Sequence, residues 1–430
     1  MYRKLSAPLV VQWEVTEKCN YNCIHCYNYW CHDPNRNSFE GSIECLWGKI
    51  VDEIICNKIF HVVITGGEPL LVWDKLLPYI KKLILNRVSV SINSNVSLLT
   101  EDMAKTIKNL GITSMLVSLP CVFNDINDKI TNVKESATKT INGIKILLHN
   151  KIPFSVNMVV TKINKDYIID SAKELKKYGV KTFAATKSAT PFNSEGFIKY
   201  RLSNAEFKQM LYDLLYIKKS LNLKISSLEA YALCSFNDKE LYQIFKTRHC
   251  TAGKIICSIG YNGLIRPCSH SSTSYGDISL GISSSWDNMS KWRSNELLPK
   301  KCNGCNKKYV CGGGCKVEAE VQTGKLNEPD PYANFSFDFD DNIISSEQKD
   351  IDITSNYILS DKVRWRIESF GVILFVSVQQ WSIITFDFYN ILMNNKVINI
   401  EVISEKLSLG VEDALIVLNI LARKKIIRRY

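Results

Sequence analysis

The segment Cys19-Asn-Tyr-Asn-Cys23-Ile-His-Cys26 sets three thiols within eight residues. Thiolates so spaced on one short loop can all turn onto a single object. A structural zinc takes four protein ligands, and no fourth is evident beside this triplet. An iron–sulfur cluster held by three cysteines instead keeps one iron free for a small molecule. Further along, Cys250, Cys257 and Cys268 precede a second run, Cys302-x2-Cys305-x5-Cys311-x3-Cys315. The chain has 15 cysteines, and Met1-Tyr-Arg-Lys-Leu5 lacks the apolar core of a secretion signal. Thiols at such spacing without an export signal point to metal rather than disulfides. Cys31, Cys45, Cys56 and Cys234 read as ordinary small hydrophobes, with Cys45 and Cys56 on the apolar side of a helix.

Other residues offer polar chemistry. Thr65-Gly66-Gly67-Glu68-Pro69 ends an apolar run. Its glycines let backbone approach a ligand closely, and Glu68 offers a carboxylate. The plain alternative is a strand-to-helix turn with Pro69 at the helix start. Cys121 follows another such run and is read either as a hydrogen-atom donor or as a buried apolar filler.

The elements that must position these residues come from periodicity. Strands are predicted at Val10–Glu14, His61–Thr65, Val88–Ser94, Ser114–Leu119, Phe154–Val160 and Thr182–Ala185. Amphipathic helices alternate with them at Ser42–Cys56, Val72–Leu85, Thr100–Leu110, Ala137–His149 and Asp166–Tyr178. Alternating strand and helix predicts an α/β fold with a parallel sheet, and six units suit a partial TIM-like (β/α)6 barrel. Its chemistry belongs at the C-terminal ends of the strands.

The Cys19/Cys23/Cys26 spacing, with planar His25 before the third thiol, resembles the radical S-adenosylmethionine (SAM) superfamily. Gly66-Gly67-Glu68-Pro69 resembles the segment that holds the SAM amino group in that family. The resemblance implies SAM contacts at Gly66, Gly67, Glu68, Ser118 and Asn157. It also implies contacts at Ser94 and Asn95, where the family often shows Thr-Asn-Gly and this chain has Ser94-Asn95-Val96. It implies a 4Fe–4S cluster on Cys19, Cys23 and Cys26, reductive cleavage of SAM to a 5′-deoxyadenosyl radical, and an electron donor such as ferredoxin or flavodoxin. The second thiol block resembles the SPASM extension of these enzymes. By that likeness Cys250, Cys257, Cys268 and Cys315 hold one auxiliary cluster, and Cys302, Cys305 and Cys311 hold another. A complete SPASM domain has a further cysteine downstream, and none follows Cys315. That leaves an open iron, an oxygen ligand such as Asp330, or zinc on the three thiols.

The expected organisation is a barrel over 1–235, a SPASM segment over 236–325, an acidic linker over 326–353 and a C-terminal domain over 354–430. In the last, strands are predicted at Lys362–Ile367, Gly371–Val378 and Trp381–Thr385. Helices follow at Phe386–Met393, Glu401–Leu407 and Val411–Ala422. This order resembles the PqqD-like winged-helix element that binds the leader of a precursor peptide. The combination implies a cytoplasmic peptide maturase. A thioether crosslink is the first expectation, a carbon–carbon crosslink the second and epimerisation through Cys121 the third. No apolar run reaches 18 residues, so no membrane partner is expected. A net charge of +11 suits an acidic partner, and an RNA-modifying enzyme is the rival of another class.

Overall fold

The computed structural model describes residues 4–32, 41–192, 195–236, 238–335 and 355–430. The chain divides into two compact units, 1–339 and 340–430. The larger is built on a ten-stranded sheet. Its strands are β1 (Val10–Glu14), β2 (His61–Thr65), β3 (Ser89–Ser94), β4 (Ser114–Ser118), β5 (Phe154–Val160), β6 (Thr182–Lys187), β7 (Lys224–Ser226), β8 (Ile256–Ile259), β9 (Leu264–Arg266) and β10 (Gly276–Asp277). The order is β10-β9-β8-β1-β2-β3-β4-β5-β6-β7. Strands β1 to β6 pair in parallel and in sequence order, as the six predicted units require.

Each unit closes for a local reason. Val10, Val11, Trp13 and Glu14 are all buried, as befits a parallel strand covered on both faces. Ser42 caps the helix Ile43–Cys56 by accepting from the Cys45 N–H, and Thr100 caps Glu101–Asn109 in the same way. Cys45 and Cys56, expected on an apolar face, are exposed. Leu46, Trp47, Ile50, Val51 and Ile54 form the buried stripe of that helix instead.

The cysteine-rich segment shares the barrel's sheet. Strand β8 pairs in parallel with β1, setting Cys257 opposite Val11, and β9 returns antiparallel to β8. An ion pair bolts this seam. Arg266 Nη2 meets Glu14 Oε2, both side chains wholly buried, while Arg266 Nη1 donates to the carbonyls of Ser269 (3.1 Å) and Ser271 (2.6 Å). The loop carrying Cys268 and His270 is thereby fixed to the first barrel strand.

In the smaller unit, β11 (Tyr357–Leu359) pairs with β15 (Ile427–Arg429). A separate antiparallel sheet runs β12 (Arg364–Glu368), β13 (Gly371–Ser377), β14 (Gln380–Ile384). Helices Phe386–Asn394, Ile400–Leu407 and Val411–Arg423 follow, which is the predicted order of three strands and three helices. The core joins Val372, Leu374 and Ile384 to Phe388, Leu392, Ile403, Leu418 and Leu421. Of the acidic linker expected at 326–353, residues 336–353 lie outside the described residues. Among the described residues no helix is long and apolar enough to cross a membrane.

Candidate active site and thiol centres

A cavity of about 280 Å³ opens at the C-terminal ends of the parallel strands. Cys19, Cys23 and Cys26 line it, with Gly66, Gly67, Glu68, Ser94, Asn95, Ser118 and Asn157. The triplet, two glycines and five polar residues chosen from sequence therefore share one space.

The loop from 15 to 28 owes its path to the turn beneath it. Gly66 has φ +122°, and a Cβ there would stand 2.6 Å from the Thr16 carbonyl oxygen. On Gly67 a Cβ would stand 2.0 Å from the Lys18 carbonyl oxygen. What comes close to these glycines is the chain's own thiol loop. The Gly67 and Glu68 N–H groups donate to Thr16 O (2.7 Å) and Lys18 O (2.8 Å), and Asn28 Nδ2 donates to Gly66 O (2.8 Å). From the other side, Asn22 N donates to Thr131 O (3.0 Å) and Ile24 N to Ile130 O (2.9 Å). The loop is thus clamped between strand end and helix end.

Glu68 ties two strand ends together. Its Oε1 accepts from Ser94 Oγ (2.7 Å) and Leu70 N (3.0 Å), and Oε2 accepts from Asn95 N (2.8 Å). Burial still raises its carboxyl above the ordinary range. Asn95 then reaches back to the thiol loop, donating from Nδ2 to Asn20 Oδ1 (2.9 Å). Val96, where the family often has Gly, sits at φ +51°, a left-handed conformation costing a β-branched residue about 1–2 kcal/mol. Its N–H is held by Ser94 Oγ (2.9 Å). On β5, Asn157 Oδ1 accepts from Thr186 Oγ1 (2.7 Å).

Burial pushes Cys19 up to about 11 and Cys23 up to about 12. Contact with Cys31, then burial, drives Cys26 well above its usual value. Burial also lowers His25 to about 4, and its Nδ1 has no hydrogen-bond partner. Among the described residues no three His, Cys, Asp or Glu side chains converge on a single-ion site. Three soft donors spread round a cavity mouth, an orphaned neutral imidazole and a wall of hydrogen-bonding groups fit a thiolate-held cluster with a polar cosubstrate beside it.

Sequence reasoning missed other residues of this wall. Cys31 lines the cavity, its Sγ 3.6 Å from Cys26 Sγ. Lys187, Glu229 and His270 line it too. His270 Nε2 lies 3.6 Å from Glu229 Oε1. The Lys187 ammonium is buried without a hydrogen-bond partner, 5.0 Å from the centre of the Tyr332 ring. Burial works to lower its pKa, but Glu318, Asp330 and Glu229 outweigh burial and hold it above the ordinary range. Lys187 was legible only as the second residue beyond a predicted strand, Thr182–Ala185, that the structure extends to it.

Cys121, expected at the barrel mouth, sits elsewhere. Its side chain is wholly buried with Ile126 and Ile130, Sγ 3.8 Å from Ser171 Oγ. It is not among the residues that line the cavity.

The downstream thiols separate into two places. Cys268 and Cys315 each lie within electrostatic reach of Cys250, and Cys257 is wholly buried in β8. Cys302, Cys305 and Cys311 line a different cavity of about 480 Å³. Gly312, Gly313 and Gly314 have φ of +67°, +86° and +86°. This left-handed run separates Cys311, which lines that cavity, from Cys315, which does not. Asp330, expected as an oxygen ligand for the second centre, is not at that cavity. Its Oδ2 accepts from Cys315 N (2.8 Å) and its Oδ1 from Tyr332 N (2.9 Å).

Over residues 13–184 the sequence matches the Radical SAM superfamily. Those residues are a radical SAM domain. The chain is therefore an enzyme of the kind that uses a 4Fe–4S cluster and SAM. It is 25% identical to an AdoMet-dependent heme synthase of Methanosarcina barkeri, over 77% of this chain and 98% of that one. Identity to the mycofactocin maturase MftC of Mycolicibacterium smegmatis is 27%, over 76% and 83%. The solved structure of Streptococcus suis SuiB bound to S-adenosylmethionine superposes with a TM-score of 0.62 at 18% identity, covering 76% of this chain and 77% of SuiB. That likeness shows the fold.

Proposed function

We propose that this enzyme matures a ribosomally made precursor peptide. The observation that carries the reading is the edge of β14 in the C-terminal unit, which no further strand pairs among the described residues. That strand ends its sheet, so its outward N–H and C=O groups can pair with an added strand. Lys424, just past the last helix, reaches Ser382 on β14 (3.3 Å). Exposed Ile416 and Ile420 lie one turn apart on that helix. Such an edge takes up an extended leader through main-chain hydrogen bonds, and Arg428 and Arg429 attract its acidic residues. The mycofactocin maturase relative and SuiB, also solved with the precursor peptide SuiA bound, support a peptide substrate.

Cys19, Cys23 and Cys26 hold the first cluster. Gly66, Gly67, Glu68, Ser94, Asn95, Ser118 and Asn157 form the SAM wall. When bound, cluster and SAM supply reductive cleavage of the sulfonium and abstraction of a hydrogen atom. This chain's residues orient the cosubstrate and exclude water and stray thiols from the mouth. Cys250, Cys257, Cys268 and Cys315 hold one auxiliary cluster, and Cys302, Cys305 and Cys311 supply thiolates to another. Tethering the leader raises the core peptide to an effective concentration of about millimolar at the barrel. A thioether crosslink is the first expected product and a carbon–carbon crosslink the second. Ferredoxin or flavodoxin, both acidic, suits the +11 chain as reductant.

The heme synthase relative favours a second reading, with a haem precursor as substrate. The test is the full chain, reconstituted anaerobically with SAM and a reductant, given the short peptide encoded beside it. A peptide lighter by two hydrogens per event is expected by mass spectrometry. An unchanged peptide alongside turnover of a haem precursor or of RNA overturns the reading.

A further inference from the structure

The second auxiliary centre has three thiols in the sequence pattern, and the structure brings a fourth to it. Cys234 sits in the short helical turn Leu233–Ser235, 68 residues before Cys302. It lines the same cavity as Cys302, Cys305 and Cys311.

The turn is held there by its own bonds. Leu233 N donates to Cys311 Sγ (3.2 Å), and Ser235 Oγ donates to the Tyr332 carbonyl (2.7 Å). The Cys234 sulfur faces the backbone N–H of Asn334. The Gly313 and Gly314 N–H groups face Cys311. The opposite arrangement would leave a packed apolar thiol, and Cys234 is not one: it is half-exposed on the cavity wall. Lys301, Lys307 and Lys308 also line this space, and no carboxylate does among the described residues.

We propose that Cys234 is the fourth thiolate of the second auxiliary cluster, completing a site with Cys302, Cys305 and Cys311. It takes the place of the downstream cysteine this chain lacks. A cluster so closed has no open iron to take a substrate thiolate. The proposal rests on the reading that Cys302, Cys305 and Cys311 bind iron.

The test uses the full chain with Cys19, Cys23 and Cys26 all changed to Ala, so that only auxiliary iron is read. Cys234→Ala, Cys234→Ser and Cys302→Ala are compared in that background. Iron, sulfide and the EPR of the reduced protein are measured with and without cyanide. Cys302→Ala is expected to lose about four of about eight irons. Cys234→Ala is expected either to lose the same iron or to keep it with a cyanide-shifted spectrum, while the background chain ignores cyanide. Cys234→Ser, isosteric and still able to ligate, guards against misfolding and is expected to keep the iron with an altered signal. A Cys234→Ala chain with full iron and an unchanged spectrum overturns the assignment, as does a background cluster that cyanide already shifts. If Cys302→Ala removes no iron, the auxiliary-cluster reading fails, and the proposal with it.

Discussion

Among the described residues of the larger unit, the cavity at the strand ends and the cavity beside Cys302 are both lined by thiols, and they differ in what else faces them. The first has Cys19, Cys23 and Cys26 on one side and Glu68, Ser94, Asn95, Ser118 and Asn157 on the other. The second has Cys234, Cys302, Cys305 and Cys311 with three lysines. In the first, polar groups share the space with the thiols, which on the proposed reading leaves room for a cosubstrate beside the cluster. In the second, thiols and compensating cations suit a cluster that stores or passes charge. The lesson is that the partners of the thiols, more than their number, decide whether a cluster does chemistry or supports it.

The sharpest break between the two is removal of one thiol from each. Cys23→Ala is expected to abolish SAM cleavage, because the first cluster cannot be held on two thiolates. Cys302→Ala is expected to leave SAM cleavage running while peptide modification stops. Both are read by 5′-deoxyadenosine formation and peptide mass in one anaerobic assay. Equal loss of SAM cleavage in both variants would erase the distinction.

A second, smaller effect concerns the strut between the regions. Arg266→Met leaves Glu14 buried and uncompensated in β1. Breaking such a pair costs roughly 3–5 kcal/mol, read as a lower midpoint of chemical unfolding. Burial already raises the Glu14 carboxyl against the pull of Arg266, so the variant is expected to protonate Glu14. The double variant Glu14→Leu/Arg266→Met is expected to recover most of the loss. No recovery would mean that Arg266 matters through its bonds to Ser269 and Ser271 alone.

The comparison also shows where sequence reading succeeds. The six barrel strands were legible because buried parallel strands are short apolar runs between amphipathic helices. Glu68, Ser94, Asn95, Ser118 and Asn157 were legible as strand-end residues, since this fold puts strand ends on one side. The role of Gly66 and Gly67 was legible only as freedom of backbone; that the thiol loop itself presses on them required the register of β1 against β2. Cys234 and Cys31 were invisible, because nothing in local spacing links a residue to a centre that folding brings to it. The burial of Cys121 was not legible: position after a strand fixes the end of the sheet, while the side chain's surroundings depend on Ile126 and Ile130 of the helix Asn124–Thr131.

The smallest expected effect separates the two extra thiols. Cys31 and Cys234 each stand beside a cysteine triplet, yet their geometry differs. Cys31 Sγ lies 3.6 Å from Cys26 Sγ, in contact, so the two compete for one corner of a cluster instead of filling two. Cys234 lines a cavity of about 480 Å³ with Cys302, Cys305 and Cys311, and on the proposed reading takes a corner of its own. Cys31→Ala is therefore expected to keep the full iron content and an unchanged spectrum in the otherwise unaltered chain, where Cys234→Ala loses iron or gains a cyanide-shifted spectrum. Cys26→Ala is expected to keep a residue of cluster through Cys31, which Cys26→Ala/Cys31→Ala loses. Iron assays on the four variants decide it: iron lost from Cys31→Ala alone would make Cys31 a ligand in its own right, and the first cavity would then be as closed as the second.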